Sequence, residues 1–115
     1  MKENVILEKS FQFAVRIVHC TDWLKRERKE FDLSRQLLRC GTSISVNIQE
    51  GVGGVSRPDF INKMQIAYKE ARETLYFLRL LQMTDKLPTE LATSMIADAE
   101  EINRILASIL KSSKQ

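Results

Sequence analysis

A chain of 115 residues can bury one hydrophobic core but not two, so a single domain spanning 1–115 is expected. The composition, 43% hydrophobic and 29% charged, excludes a disordered or fibrous chain. The net charge of +3 is small and uneven: residues 1–57 carry ten Lys/Arg against seven Asp/Glu, and residues 58–115 eight against eight.

No apolar run approaches the ~20 residues that a membrane-spanning helix needs. The opening MKENVILEKSF has neither a long apolar core nor a small-residue cleavage site, so no secretory leader is expected. Cys20 and Cys40 fall inside helical stretches and read as reduced core thiols, which points to the cytoplasm. A disulfide between them is the lesser alternative.

Only Pro58, Pro88 and the bunched Gly51, Gly53 and Gly54 interrupt an otherwise helical pattern. They divide it into four helices at about 4–28, 32–50, 57–84 and 88–112. Long amphipathic helices joined by short connections favour antiparallel neighbours, so the expected fold is all-α, an up-down-up-down four-helix bundle.

The first helix is apolar on two sides. At about 100° per residue, Leu7, Phe11, Val15 and Val18 share one face, and Ile6, Phe13, Ile17, Cys20 and Leu24 share a roughly opposite one. A bundle helix has an outer side, so one of these stripes needs a cover. The expectation is a homo-oligomer built through Phe13, Ile17, Cys20 and Leu24. The helix ends in KRERKE, where Lys25, Arg26, Arg28 and Lys29 suit the negative end of the helix dipole. With Arg35 and Arg39 at the start of the next helix, they form a candidate phosphate-binding cluster. Trp23 and Phe31 flank it, which is too little aromatic interleaving to signal base stacking.

The second helix opens at Asp32, a candidate N-cap. In its stretch GTSISVNIQEGVGGVS, Ser43, Asn47 and Glu50 continue a polar stripe from Gln36 and Cys40, beside the apolar Leu37, Ile44 and Ile48. Polar groups at such a border need partners, which would fix helix register. Glu50 sits where the dipole disfavours an anion, so Arg57 or Arg72 is its expected partner. Gly41 is suited to close approach of a neighbouring helix, and Gly51 to a left-handed helix end.

Ser56-Arg57-Pro58-Asp59 resembles a capping box with Asp for the usual Glu, opening the third helix. Phe60, Met64, Ala67, Ala71, Leu75 and Leu78 form its stripe, with Glu70, Glu73, Lys69 and Arg72 read as solvated ion pairs. The fourth helix follows Pro88, with Met95, Ala99, Ile102, Leu106 and Ile109 on its inner face.

Catalysis is poorly supplied. His19 is the single histidine, so neither a triad nor a His-rich metal site is easily built, and no Glu-x-x-His pair suits a di-iron bundle. GVGGVS lacks the strand and Lys-Ser/Thr of a phosphate loop. No catalytic residue, cofactor or metal is expected.

QLLRCGTSISVNIQEG followed by SRPDFINKMQIAYKEARETLYFLRLL resembles the 23S rRNA intervening-sequence protein family. The residues carrying it are Gln36, Leu37, Arg39, Ser43, Ile44, Asn47, Ile48, Glu50, Gly51, Ser56, Asp59, Phe60, Lys69, Glu70, Ala71, Glu73 and Thr74. The resemblance implies an up-down four-helix bundle, which in several relatives assembles as a homopentameric ring. It also implies a gene context inside ribosomal RNA genes. A related branch, the accessory variability proteins of diversity-generating retroelements, binds a reverse transcriptase and nucleic acid through a basic surface. This chain departs from that branch in its modest charge and its acidic last helix, with Glu90, Asp98, Glu100 and Glu101.

The function expected is therefore that of a non-catalytic, cytoplasmic homo-oligomer contacting RNA or a ribonucleoprotein electrostatically through residues 25–39. A protein-only assembly or adaptor module is the alternative. A small-molecule site at Asn47 and Glu50 is a distant third.

Overall fold

The computed structural model describes residues 2–113, with side chains from 4 to 113; residues 1, 114 and 115 of the expected domain lie outside the described residues. Four helices fill this span: α1 Lys2–Arg28, α2 Asp32–Val52, α3 Arg57–Met83 and α4 Thr89–Ser113. Each packs against its sequence neighbours, and α1 closes the ring against α4, the loosest of the four seams. This is the expected antiparallel bundle, 44 × 20 × 18 Å, its long axis set by 27-residue helices rising about 1.5 Å per residue.

The core takes one stripe from every helix. Phe13, Ile17, Leu24, Leu37, Ile44, Ile48, Met64, Leu78, Met95, Ile102 and Leu106 are all enclosed. Cys20 and Cys40 are buried and free, and burial pushes the Cys20 thiol up to about 11.

The two faces of α1 exchange the roles expected of them. Phe13, Ile17, Cys20 and Leu24 are at most 3% exposed inside the chain's own core, so they cannot form a contact between copies. The uncovered stripe is the other one, with Phe11 56%, Val15 39% and Val18 42% exposed. Length explains the choice. The Ile6-to-Leu24 face runs almost the whole helix, as a core stripe must, whereas the other stops at Val18 and gives way to Asp22 and Lys25.

Small-residue contacts set the helix spacing. A Cβ on Gly41 would lie 2.8–2.9 Å from three carbons of Ile17, so α1 and α2 meet there as closely as their backbones allow. Gly51 is not the left-handed helix end: α2 continues to Val52, and no described glycine has positive φ. It too is a contact point, its Cα facing Met64 and Lys63 of α3. The left-handed positions are instead Lys29 and Asp85, ending α1 and α3. After Asp85 the chain closes a Schellman turn, Lys86 N–H donating to Leu81 and Asp85 N–H to Gln82.

The helix starts follow side-chain chemistry. Ser56 caps α3, its Oγ accepting the Asp59 N–H at 3.2 Å, as expected. Asp32 does not cap α2. Phe31 already has helical φ and ψ, and the Leu33 N–H donates to Glu30 instead at 3.1 Å. Glu30 also pairs with Lys86 at 3.0 Å, tying the 29–31 connection to the 84–88 connection. The Lys86 hydrogen bond, then that of Leu33, holds the Glu30 carboxyl below its ordinary value of 4.5. A carboxyl lowered on folding adds stability that is present above that value and vanishes as pH falls through the folded one. Glu30→Gln should therefore melt below the parent protein at about pH 7, and the gap should narrow as pH falls below the ordinary carboxyl range.

Candidate nucleic-acid interface

The last turn of α1 gathers Lys25, Arg26 and Arg28 against the negative pole of the helix dipole, and Lys29 follows in left-handed conformation. All four are exposed. Their ion pairs are slack: Lys25 lies 3.8 Å from Asp22, and Arg26 3.7 Å from Glu27. Arg28 rests over the Trp23 ring, 4.9 Å from its centroid. Lys29 has no ion-pair partner among the described residues. Arg35 stands beside them at the start of α2, paired to Asp32 at 2.8 Å with both side chains largely in solvent. Five of the six expected cations thus share one end of the bundle.

Arg39 is not among them. It donates to Glu70 at 3.0 Å and also to Glu73, both on α3. Desolvation works against its charge, but the carboxylates of Glu73 and Glu70 outweigh it and hold the guanidinium above its ordinary value. Glu70 is only 9% exposed, so the reading of Glu70 and Glu73 as solvated ion pairs with Lys69 and Arg72 is corrected. The overlooked signal was spacing. Glu70 stands three residues after Ala67 and four before Thr74, two small buried positions on the side of α3 that meets α2.

Elsewhere, cations are spent between helices. Arg16 meets Asp98 at 2.5 Å, Lys9 meets Glu101 at 3.2 Å and Arg79 meets Glu100 at 3.3 Å. The acidity of α4 is thereby answered by α1 and α3. Not all cations are spent in this way: Arg57, Lys69, Arg72, Arg104 and Lys111 are exposed and in no ion pair among the described residues, spread over α3 and α4 rather than gathered as at the end of α1.

The polar stripe of α2 is divided: Ser43 and Asn47 bond within their own helix, and Glu50 reaches across to α3. Ser43 donates to the Arg39 carbonyl at 2.6 Å, and Asn47 to the Ser43 carbonyl at 2.8 Å, both within the helix. Glu50 pairs with Lys63 at 3.0 Å, not with Arg57 or Arg72. Those arginines lie over the Phe60 and Tyr68 rings instead. Asn47 and Glu50 are thus engaged within the fold, and Glu50, Gly51 and Arg39 together join α2 to α3. Among the described residues, no three of His, Cys, Asp and Glu converge to hold a metal. No described helix is long and apolar enough to cross a membrane.

These features define a class of protein: an up-down-up-down bundle with a basic end and one uncovered apolar stripe. Residues 2–108 match the family model of the 23S rRNA-intervening sequence protein, and the chain belongs to that family. It is similar to a solved structure from Bacteroides thetaiotaomicron VPI-5482, described as a protein of unknown function from the S23 ribosomal protein family. That similarity runs at 51% identity over 96% of this chain and 99% of the other, with a TM-score of 0.93. No curated protein matches the chain.

Proposed function

We propose that the chain is a non-catalytic, cytoplasmic bundle that assembles with copies of itself and contacts RNA or a ribonucleoprotein. The observation that carries the RNA contact is the clustering of charge at one end. Lys25, Arg26, Arg28 and Lys29 lie within five consecutive residues, exposed and loosely held, whereas Arg16 and Arg79 further along are bound to carboxylates across helix seams and the open Arg57, Lys69, Arg72, Arg104 and Lys111 are spread over α3 and α4. Such a contact positions a phosphate backbone without reading sequence. The family name, with its ribosomal RNA context, supports the same reading.

The assembly reading rests on the stripe of Phe11, Val15 and Val18, apolar surface that a solitary bundle would leave wet. The homopentameric ring implied by the family resemblance is one arrangement that would cover it. That stripe equally favours the alternative, a protein-only adaptor.

Filter binding to ribosomal RNA over a salt series tests the first part. The expected result is measurable binding near 50 mM salt that falls steeply with added salt; no binding there refutes it. Light scattering after size exclusion tests the second. The parent should run as a multimer, and Phe11→Asp with Val18→Asp as a monomer that keeps the parent's helical circular dichroism. A parent that is monomeric at high micromolar concentration rejects the assembly.

A further inference from the structure

The seam between α1 and α4 is not sealed along its length. Towards the basic end it opens into a groove of about 370 Å³. The floor is apolar, formed by Cys20, Leu91 and Met95, and the half-buried Trp23 makes one wall. Desolvation raises the Cys20 thiol, so the floor carries no charge at neutral pH.

The rim is mixed in charge, with Arg26 its exposed cation and Asp22 its carboxylate. Arg16, His19 and Arg26 edge the groove from α1. Arg16 is already bound to Asp98 at 2.5 Å, whereas His19 and Arg26 are exposed. Asp22 also lines the groove and has Lys25 3.8 Å away.

An apolar slot with one indole wall and the exposed Arg26 guanidinium on its edge suits a flat ring with negative charge a short way off. A metal would need converging carboxylates or thiolates, and a lipid chain a longer apolar channel. In RNA the chemistry that fits belongs to an unpaired nucleotide. Its base has free π faces to lay on an aromatic ring, and its phosphates follow within reach of the rim, whereas a base-paired ring is closed off by its neighbours.

We propose that the groove beside Trp23 holds one unpaired base of a bound RNA strand, with its phosphates at Arg26 and His19. This rests on the RNA contact inferred above and makes it single-stranded, extending it from the end of the bundle onto the α1–α4 side.

Trp23 is the only tryptophan, so its emission reports the groove directly. Titration with octa-adenylate should quench it saturably, and a duplex of the same length should not. By anisotropy of labelled octa-adenylate, Trp23→Leu should bind about tenfold more weakly, while Trp23→Phe, which keeps a stacking face, should stay within about threefold of the parent. Leu91→Trp, filling the groove from its floor, should weaken binding as Trp23→Leu does and guards against misfolding of that variant. RNA bound with unchanged Trp23 emission, or with equal affinity in Trp23→Leu and Leu91→Trp, overturns the groove and leaves the electrostatic contact standing. Equal quenching by duplex also overturns it. Absence of any RNA binding near 50 mM salt overturns the underlying reading, and the groove with it.

Discussion

Gly41→Ala is expected to destabilise the fold by up to about 2 kcal/mol, although alanine is the better helix former. Removing glycine from a helix interior gains about 1 kcal/mol. Against this, the new methyl would meet three carbons of Ile17 at 2.8–2.9 Å. Ile17 is fully buried and β-branched, so it has neither space nor a spare rotamer, and overpacking of this kind costs about 1–3 kcal/mol. At Gly51 the nearest atom, 2.8 Å away, is the terminal methyl of Met64, the end of a flexible chain. Gly51→Ala should therefore fall within about 0.5 kcal/mol of the parent protein. Urea unfolding of both variants measures the contrast; equal stabilities would show that α1 and α2 do not meet as closely as the geometry requires.

Replacing Lys25, Arg26, Arg28 and Lys29 together with glutamine should weaken RNA binding by about 100-fold or more near 50 mM salt. Each phosphate contact contributes about 0.7 to the logarithmic salt slope for a single strand, so the slope should flatten by roughly 2–3. The helix should persist, since all four side chains are exposed. Arg39→Met makes the converse case. It strands the nearly enclosed Glu70 without its guanidinium, which should cost about 2 kcal/mol after allowance for the half-exposed arginine. RNA affinity of that variant should equal that of the parent. Loss of affinity in Arg39→Met with no loss of stability would reverse the two assignments.

The bundle itself was legible because apolar spacing in α2 and α4 points one way only, and two of the three connections are marked by proline, glycine or a capping serine, the third by a dense run of charge. Ambiguity entered where two patterns competed. On α1 both stripes are apolar at helical spacing, and only the span of each along the axis separates core from surface. Arg39 looked like its neighbour Arg35, but cross-helix partners decide what a cation does, and Glu70 is 31 positions away in sequence. The helix-starting role of Glu30 was hidden by Asp32, the more conventional cap. The Trp23 groove was invisible for the same reason, since part of its floor comes from Leu91 and Met95 on α4.

The Glu30–Lys86 bridge makes the two ends of the molecule unequal. It stitches two hairpin tips into one unit, so breathing at that end requires both to part at once. The opposite tip has the single 53–56 connection, where Val55 stands 98% in water. Amide protons should consequently exchange faster around that tip than around the one where the basic side chains are mounted. A polyanion would thus meet a stiff platform, with little backbone freedom left to surrender on docking.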